Sequence, residues 1–290
     1  MTDTVSDDVT RPAGAVGAHA PVAGGLAKAA LPYLDKVGAT AVQVYVGNPR
    51  GWARPPGDPA QDALFVAGCH TRAVPAFVHA SLLVNVGSPT AATVEQSREV
   101  LAHALLRAAA IGAGGVVFHA GSAVDAEHTP AALRQVREVL LPLLDALPDD
   151  GPRLLVEPSA GGGRSLAARV EDLGPYLDAV DRHPRLGVCF DTCHAWAAGH
   201  DLAKPGGMTL TLDTLVEVCG PGRLGLVHAN DSKDPVGSTR DRHEAIGKGL
   251  IGADAFAEMF RHPALAGVPV VVETPGETHA ADISLLRGLR

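Results

Sequence analysis

Apolar residues along the chain keep two alternating rhythms: short unbroken runs rich in valine, and longer stretches in which they recur every three or four positions. The runs are Ala15–Ala18, Ala39–Val46, Val74–Val78, Val116–Phe118, Leu154–Val156, Leu186–Phe190, Leu224–Val227 and Val270–Val272. A β-branched run without polar alternation predicts a strand buried on both faces, as parallel strands covered by helices are. The second rhythm predicts helices over Gly24–Val37, Asp58–Cys69, Thr93–Ile111, Thr129–Leu147, Ser165–Val180, Thr209–Val218 and Asp254–Phe260. Thr129 is placed as an N-cap with Pro130 at the first helical position, where a missing N–H costs nothing. Eight strands alternating with helices make the (β/α)8 pattern of a TIM barrel, here one domain over residues 15–290.

Seven of the runs end on a side chain that can bind a metal: the first on His19, and six more on His79, His119, Glu157, Asp191, His228 and Glu273. Active sites of such barrels sit where the strands reach their carboxyl ends, so these six converge on one bowl. Two short spacings add to them. Asp191 and His194 stand three apart, so a turn or helix start after the strand aims both inward. Asp241 and His243 stand two apart, which in extended chain puts both on one side.

Composition narrows the reading. No apolar stretch approaches the ~20 residues of a membrane span, and the polar, acidic N-terminus is unlike a signal peptide, so a cytoplasmic protein is expected. Met1–Gly14 reads as a disordered leader. Cys69, Cys189, Cys193 and Cys219 lack paired spacing and are taken as reduced thiols. The net charge of −8 speaks against a nucleic-acid partner, because phosphate binding needs a basic face. Divalent cations held by the acids of the bowl would offset most of that charge, and the local field is what a phosphate meets.

Most histidines need no functional reading. His103, His128, His183, His200, His262 and His279 are assigned structural roles, His70 lies near a helix end, and His19, which ends the first strand, is left open as a residue that could support the site without binding metal. The remaining set is His79, His119, Glu157, Asp191, His194, His228, Asp241, His243 and Glu273. Nitrogen and carboxylate oxygen without thiolate is the donor set of catalytic zinc or manganese, and nine donors are too many for one ion. Several ions together suit phosphodiester hydrolysis, which needs hydroxide at neutral pH, neutralised phosphate oxygens and a stabilised leaving alkoxide.

The segments that carry these residues resemble the endonuclease IV family of zinc-dependent apurinic/apyrimidinic endonucleases. They are Gly17-Ala18-His19, Asn48-Pro49-Arg50-Gly51-Trp52, His79 to Asn85, Phe118-His119-Ala120-Gly121-Ser122, Glu157-Pro158-Ser159-Ala160-Gly161, Gly187 to Ala195, His228 to Lys233, Asp241-Arg242-His243 and Glu273-Thr274-Pro275. The resemblance implies a TIM barrel with three zinc ions, one site also open to manganese. His79 and His119 would hold the first ion, with Glu157 bridging it to a second that takes Asp191, His228 and Glu273. His194, Asp241 and His243 would hold the third. It also implies a monomeric base-excision-repair hydrolase that cuts 5′ to abasic sites in double-stranded DNA and removes 3′ blocking groups. Arg50 would enter the minor groove, Leu82 and Leu83 would form an apolar wedge, and Lys233 and Arg242 would contact phosphate. Position 82 commonly carries an aromatic in this family, and leucine stands here.

Three other readings compete. A sugar isomerase or epimerase of similar barrel type needs Glu157, Asp191, His228 and Glu273 but no third ion, so His194, Asp241 and His243 argue for the nuclease. A catalytically inactive DNA-binding module would not need an intact bridging carboxylate. A small-molecule phosphoesterase would not need Arg50 and the two leucines.

Overall fold

The valine-rich runs become the staves of a closed barrel in the computed structural model, which describes residues 14–290. The leader expected over the first residues lies outside that range except for Gly14. Eight parallel strands close the barrel: β1 Val16–His19, β2 Val42–Tyr45, β3 Ala76–His79, β4 Gly115–His119, β5 Arg153–Glu157, β6 Leu186–Asp191, β7 Leu224–His228 and β10 Val270–Val272, with β10 between β7 and β1. After β7 the chain makes a small antiparallel ribbon, β8 Asp231–Ser232 with β9 His243–Glu244, which the apolar pattern did not predict.

The strands carry two cores because side chains alternate between faces. Outward residues such as Val42, Val78, Val116, Leu154 and Val188 pack under the helices. Inward residues Ala41, Phe77, Val117, Leu155, Cys189, Leu226 and Val271 form a separate plug inside the barrel. Two residues past each plug member, on the same face, stand Gln43, His79, His119, Glu157, Asp191, His228 and Glu273. The plug is therefore the floor on which the polar bowl rests. Register levels the ring as well, pairing His119 with Glu157 and Asp191 with His228.

Helix α1 spans Leu26–Val37. Helix α2 runs Pro59–Arg72 with Asp58 as N-cap, its Oδ1 accepting from the amides of Ala60 and Gln61 at 2.9 and 3.3 Å. Helix α3 spans Ala91–Ala110. The helix beginning at Thr129 is present, but its N-cap position falls on His128, so Thr129 is already helical and caps nothing. The helix expected over Ser165–Val180 is shorter: a 3-10 turn at Val170–Asp172 leads into Leu173–Asp178. Asp172 Oδ2 accepts from the amides of Ala168 and Arg169, which holds the preceding residues in a loop although Leu166 and Ala167 are buried. A C-terminal helix, His279–Gly288, was not anticipated; its buried Ile283 and Leu286 close the wall beside β1.

Candidate metal centre and nucleic-acid interface

At the carboxyl end of the barrel the nine expected donors come together in three groups. His79 Nε2 and His119 Nε2 lie 3.3 and 3.7 Å from Glu157 Oε2. His228 Nδ1 lies 3.0 Å from Glu157 Oε1, 3.3 Å from Glu273 Oε2 and 3.8 Å from Asp191 Oδ2. His194 Nε2 stands 3.3 Å from Asp241 Oδ2, and His243 Nε2 stands 2.8 Å from Asp241 Oδ1 and 3.9 Å from Asp191 Oδ2. Glu157 thus offers one oxygen to each of the first two groups, and Asp191 lies between the second and third.

These separations test whether ions fit. Two ligands ~2.1 Å from one ion at a tetrahedral angle stand ~3.4 Å apart, whereas N–H···O hydrogen bonds centre near ~2.9 Å. Five of the eight contacts lie between 3.3 and 3.8 Å, the spacing of ligands sharing an ion. Charge points the same way. Glu157 and His228 are fully buried, Asp191 nearly so, and no lysine or arginine pairs with the carboxylates of the bowl among the described residues. Buried carboxylates are costly without positive partners.

Without ions the histidines must carry that charge. Burial works against the protonated His194 and His228, yet Asp191 acting on the first, and Cys189, Glu273 and Glu157 on the second, lift both pKa values well above the ordinary range. His243, also desolvated, is held up to about 9 by Asp241 and Asp191. Burial would raise Glu157, but His228, His194 and His79 hold it well below the usual carboxylate value. His119 answers to burial first and falls to about 4, leaving its ring neutral and ready to donate a lone pair. Asp191 is pushed up, by burial foremost.

A second ring of contacts orients the donors. His79 Nδ1 meets the Ala80 carbonyl at 2.8 Å, His194 Nδ1 the Pro158 carbonyl at 3.0 Å, and His243 Nδ1 the Glu273 carbonyl at 3.2 Å. A ring N–H donated to a carbonyl leaves the other nitrogen bare toward the cluster. His228 is the inverse case: its Nε2 meets Gln43 Oε1 at 2.9 Å, so Nδ1 faces inward. Gln43 also donates through Nε2 to Glu273 Oε1 at 2.6 Å, while Asn230 donates to Asp191 Oδ2 at 2.7 Å and accepts from the Glu273 amide at 2.8 Å. Asp191 Oδ1 accepts from the His194 amide at 2.8 Å as N-cap of the helix Thr192–Ala197, which is why a three-residue spacing aims both side chains into the bowl. Gln43 and Asn230 were not singled out from the sequence. A glutamine inside an otherwise apolar strand was the available signal for the first. His19, left open from the sequence, has its Nδ1 3.2 Å from Glu273 Oε1 at the edge of the ring.

The bowl opens as a cavity of about 980 Å³ lined by six of the donors, His79, His119, His194, Asp241, His243 and Glu273, together with Arg50 and Leu82. Arg50 is exposed on the loop after β2, and Leu82 and Leu83 are 40% and 37% exposed on the turn after β3. The Pro49 carbonyl accepts from the Leu82 amide at 2.8 Å and from Ser81 Oγ at 3.0 Å, so the two loops form one unit. Lys233 is exposed beside the ribbon. Arg242 grips Asp234 with a two-pronged ion pair, its Nε 2.5 Å from Oδ2, which leaves its fork engaged within the protein. Lys36 on α1 also lines the bowl and was not anticipated.

Fold and site define a class: an α/β barrel with a polynuclear-type donor set at its carboxyl face. The model of the xylose isomerase-like TIM barrel family matches residues 31–289. A curated relative named probable endonuclease 4, from Streptomyces coelicolor, is 56% identical over 290 residues, covering 99% of each chain. The crystal structure of endonuclease IV from Thermus thermophilus superposes with a TM-score of 0.80 at 34% identity, over 95% of this chain and 98% of that one. A D-tagatose 3-epimerase-like protein superposes at 0.72 with 17% identity, over 95% of this chain and 96% of that one, and shares the fold alone. The chain belongs to the endonuclease IV family.

Proposed function

We propose that this protein is a metal-dependent DNA-repair endonuclease that hydrolyses the phosphodiester 5′ to abasic sites and removes 3′ blocking groups, working as a cytoplasmic monomer on double-stranded DNA. The observation that carries the reading is the third donor group, Asp241 with His194 at 3.3 Å and His243 at 2.8 Å, beside the Glu157, Asp191, His228 and Glu273 set and at the edge of an open cavity. Family membership supports the same reaction. No helix among the described residues is long and apolar enough to cross a membrane.

Zinc at the three groups, with manganese acceptable at one, would supply a nucleophile at neutral pH and neutralise phosphate charge. The chain's own residues do the rest. Glu157 ties the first two groups together through its two oxygens and so fixes their separation. Gln43 and the backbone carbonyls hold His79, His194, His228 and His243 so that each keeps a lone pair facing inward, and Asn230 holds Asp191. Arg50 presents positive charge at the rim, and Leu82 and Leu83 offer an apolar wedge at the gap an absent base leaves. Lys233, exposed beside the ribbon, would contact phosphate, and Arg242 would do so only through the terminal nitrogen that its pair with Asp234 leaves free.

Zinc-loaded protein should nick a duplex carrying a tetrahydrofuran abasic analogue, leaving a 3′-hydroxyl that a polymerase extends. No nick at full metal occupancy, or a β-elimination end on a natural abasic site, would reject the reading; turnover of free ketoses without nicking would favour the epimerase alternative.

A further inference from the structure

Helix α3 carries Glu99, His103 and Arg107 four residues apart, so the three side chains stack along one face. Each meets the loop that carries Arg50. Glu99 Oε2 accepts from Arg54 Nη1 at 2.8 Å, His103 Nε2 donates to the Pro55 carbonyl at 2.8 Å, and the Arg107 guanidinium lies against Gly57. The last contact is so close that a Cβ on Gly57 would stand 2.2 Å from Arg107 Cζ, and Gly57 has a φ of +84°, so only glycine suits the position. Arg107 is buried and bound at both terminal nitrogens to Asp62, at 2.8 and 2.6 Å. Asp62 lies in the first turn of α2, which Asp58 caps. At its other end the loop is tied to the Leu82 turn through Pro49 and turned by Asn48 Oδ1, which accepts from the Arg50 amide at 2.9 Å.

We infer that this stripe of α3 is a clamp that sets the Arg50 loop in its DNA-binding shape before DNA arrives, with His103 and Arg107 as positioning residues for duplex recognition. The inference rests on the nuclease reading for its consequence, though not for its geometry. The contacts are not equal. The Arg54 to Glu99 pair is half exposed and contributes least, as surface ion pairs do. Arg107 is the fixed base, since its charge is neutralised by a buried partner and its plane carries the loop backbone. His103 supplies the link whose removal is cleanest: it lies near the surface, and its ring touches the loop through one hydrogen bond. A loop ordered in advance does not pay its backbone entropy on binding, so loosening it weakens the complex without altering the chemistry inside the bowl.

The test uses the full-length zinc-loaded protein and three variants, His103→Leu, His103→Gln and Gly57→Ala. His103→Leu is expected to weaken binding to the abasic-analogue duplex about tenfold, with cleavage rate at saturating duplex and zinc content unchanged. His103→Gln, which keeps an N–H donor, should restore most of the affinity, and Gly57→Ala should exceed His103→Leu. In protein without DNA, amide exchange over residues 50–57 should quicken in His103→Leu and not in His103→Gln. Unchanged affinity and exchange in His103→Leu would overturn the clamp, as would a parallel loss of zinc and melting temperature. If the wild-type protein fails to nick the duplex, the nuclease reading falls, and the exchange measurement still decides whether the clamp exists.

Discussion

Replacing Gln43 by leucine tests whether the bowl is shaped for ions. In the ion-free protein the raised pKa of His228 lets it donate from both nitrogens, and without Gln43 it can give up the Nε2 proton while keeping Nδ1–H on Glu157 Oε1, 3.0 Å away. Once an ion occupies the inner face, Nδ1 must be bare, the proton must sit on Nε2, and its one acceptor is Gln43 Oε1 at 2.9 Å. With leucine at 43 that N–H is orphaned in a fully buried position, at a cost of about 1–3 kcal/mol borne in full only by the loaded state, which cannot shed the proton. Glu273 also loses the 2.6 Å contact from the carboxamide but keeps His19 at 3.2 Å. Zinc affinity should therefore fall about 10- to 100-fold, the range typical of lost outer contacts to a ligating histidine. Competition of the ion-free protein with a chromophoric chelator measures this, and urea unfolding of the same ion-free protein supplies the control. Unaltered zinc affinity would refute the reasoning, and so would a stability loss in the ion-free protein as large as the loss in binding.

Glu157→Gln keeps side-chain volume and should leave melting within a few degrees, while losing one of the two carboxylate oxygens that link the first two donor groups lowers the initial nicking rate at least about 10³-fold; a near-normal rate would show that another group sets the spacing. Asp231, fully buried, accepts from the amides of Ser232, Gly247, Gly249, Ile251 and Gly252 at 2.8–3.3 Å, so Asp231→Ala should cost about 3–5 kcal/mol in urea unfolding, and less than ~1 kcal/mol would mean the loop is held otherwise. His243, with its pKa held up to about 9, keeps its proton at pH 7 in the ion-free protein. That raised pKa stabilises the ion-free fold fully below the ordinary histidine value of ~6.5, and the contribution is lost as pH rises through about 9. Zinc binding at pH 7 should accordingly release protons, seen as a dependence of binding heat on buffer ionisation enthalpy, and the part due to His243 should disappear above about pH 9; no buffer dependence at pH 7 would contradict it.

The barrel was legible because double-sided burial leaves a mark that local sequence carries: an unbroken β-branched run cannot face water on either side. The donors were legible because strand ends are fixed by where those runs stop. Glu273 needed only Val270–Val272 before it, and His119 only Val116–Phe118. What escaped depends on contacts between distant parts of the chain. Gln43 looks like a stray polar residue until the barrel closes and sets it against β7 and β10. Asn230 acquires its meaning from Asp191, 39 positions earlier. The helix expected over Ser165–Val180 failed for a related reason. Its apolar spacing is real, but Leu166 and Ala167 are buried as loop residues, and Asp172 caps a later start. Arg242, expected from the resemblance to contact phosphate, also pairs with Asp234, a contact its own sequence neighbourhood does not reveal.

The central claim is that nine side chains from seven parts of the barrel rim form three adjoining cation sites, and anomalous diffraction from crystals of protein grown in zinc tests it most directly. The account predicts three difference peaks within a few ångströms of one another: one between His79, His119 and Glu157, one among Glu157, Asp191, His228 and Glu273, and one by His194, Asp241 and His243. A single peak, or zinc bound away from Glu157 with the bowl filled by water, would contradict it.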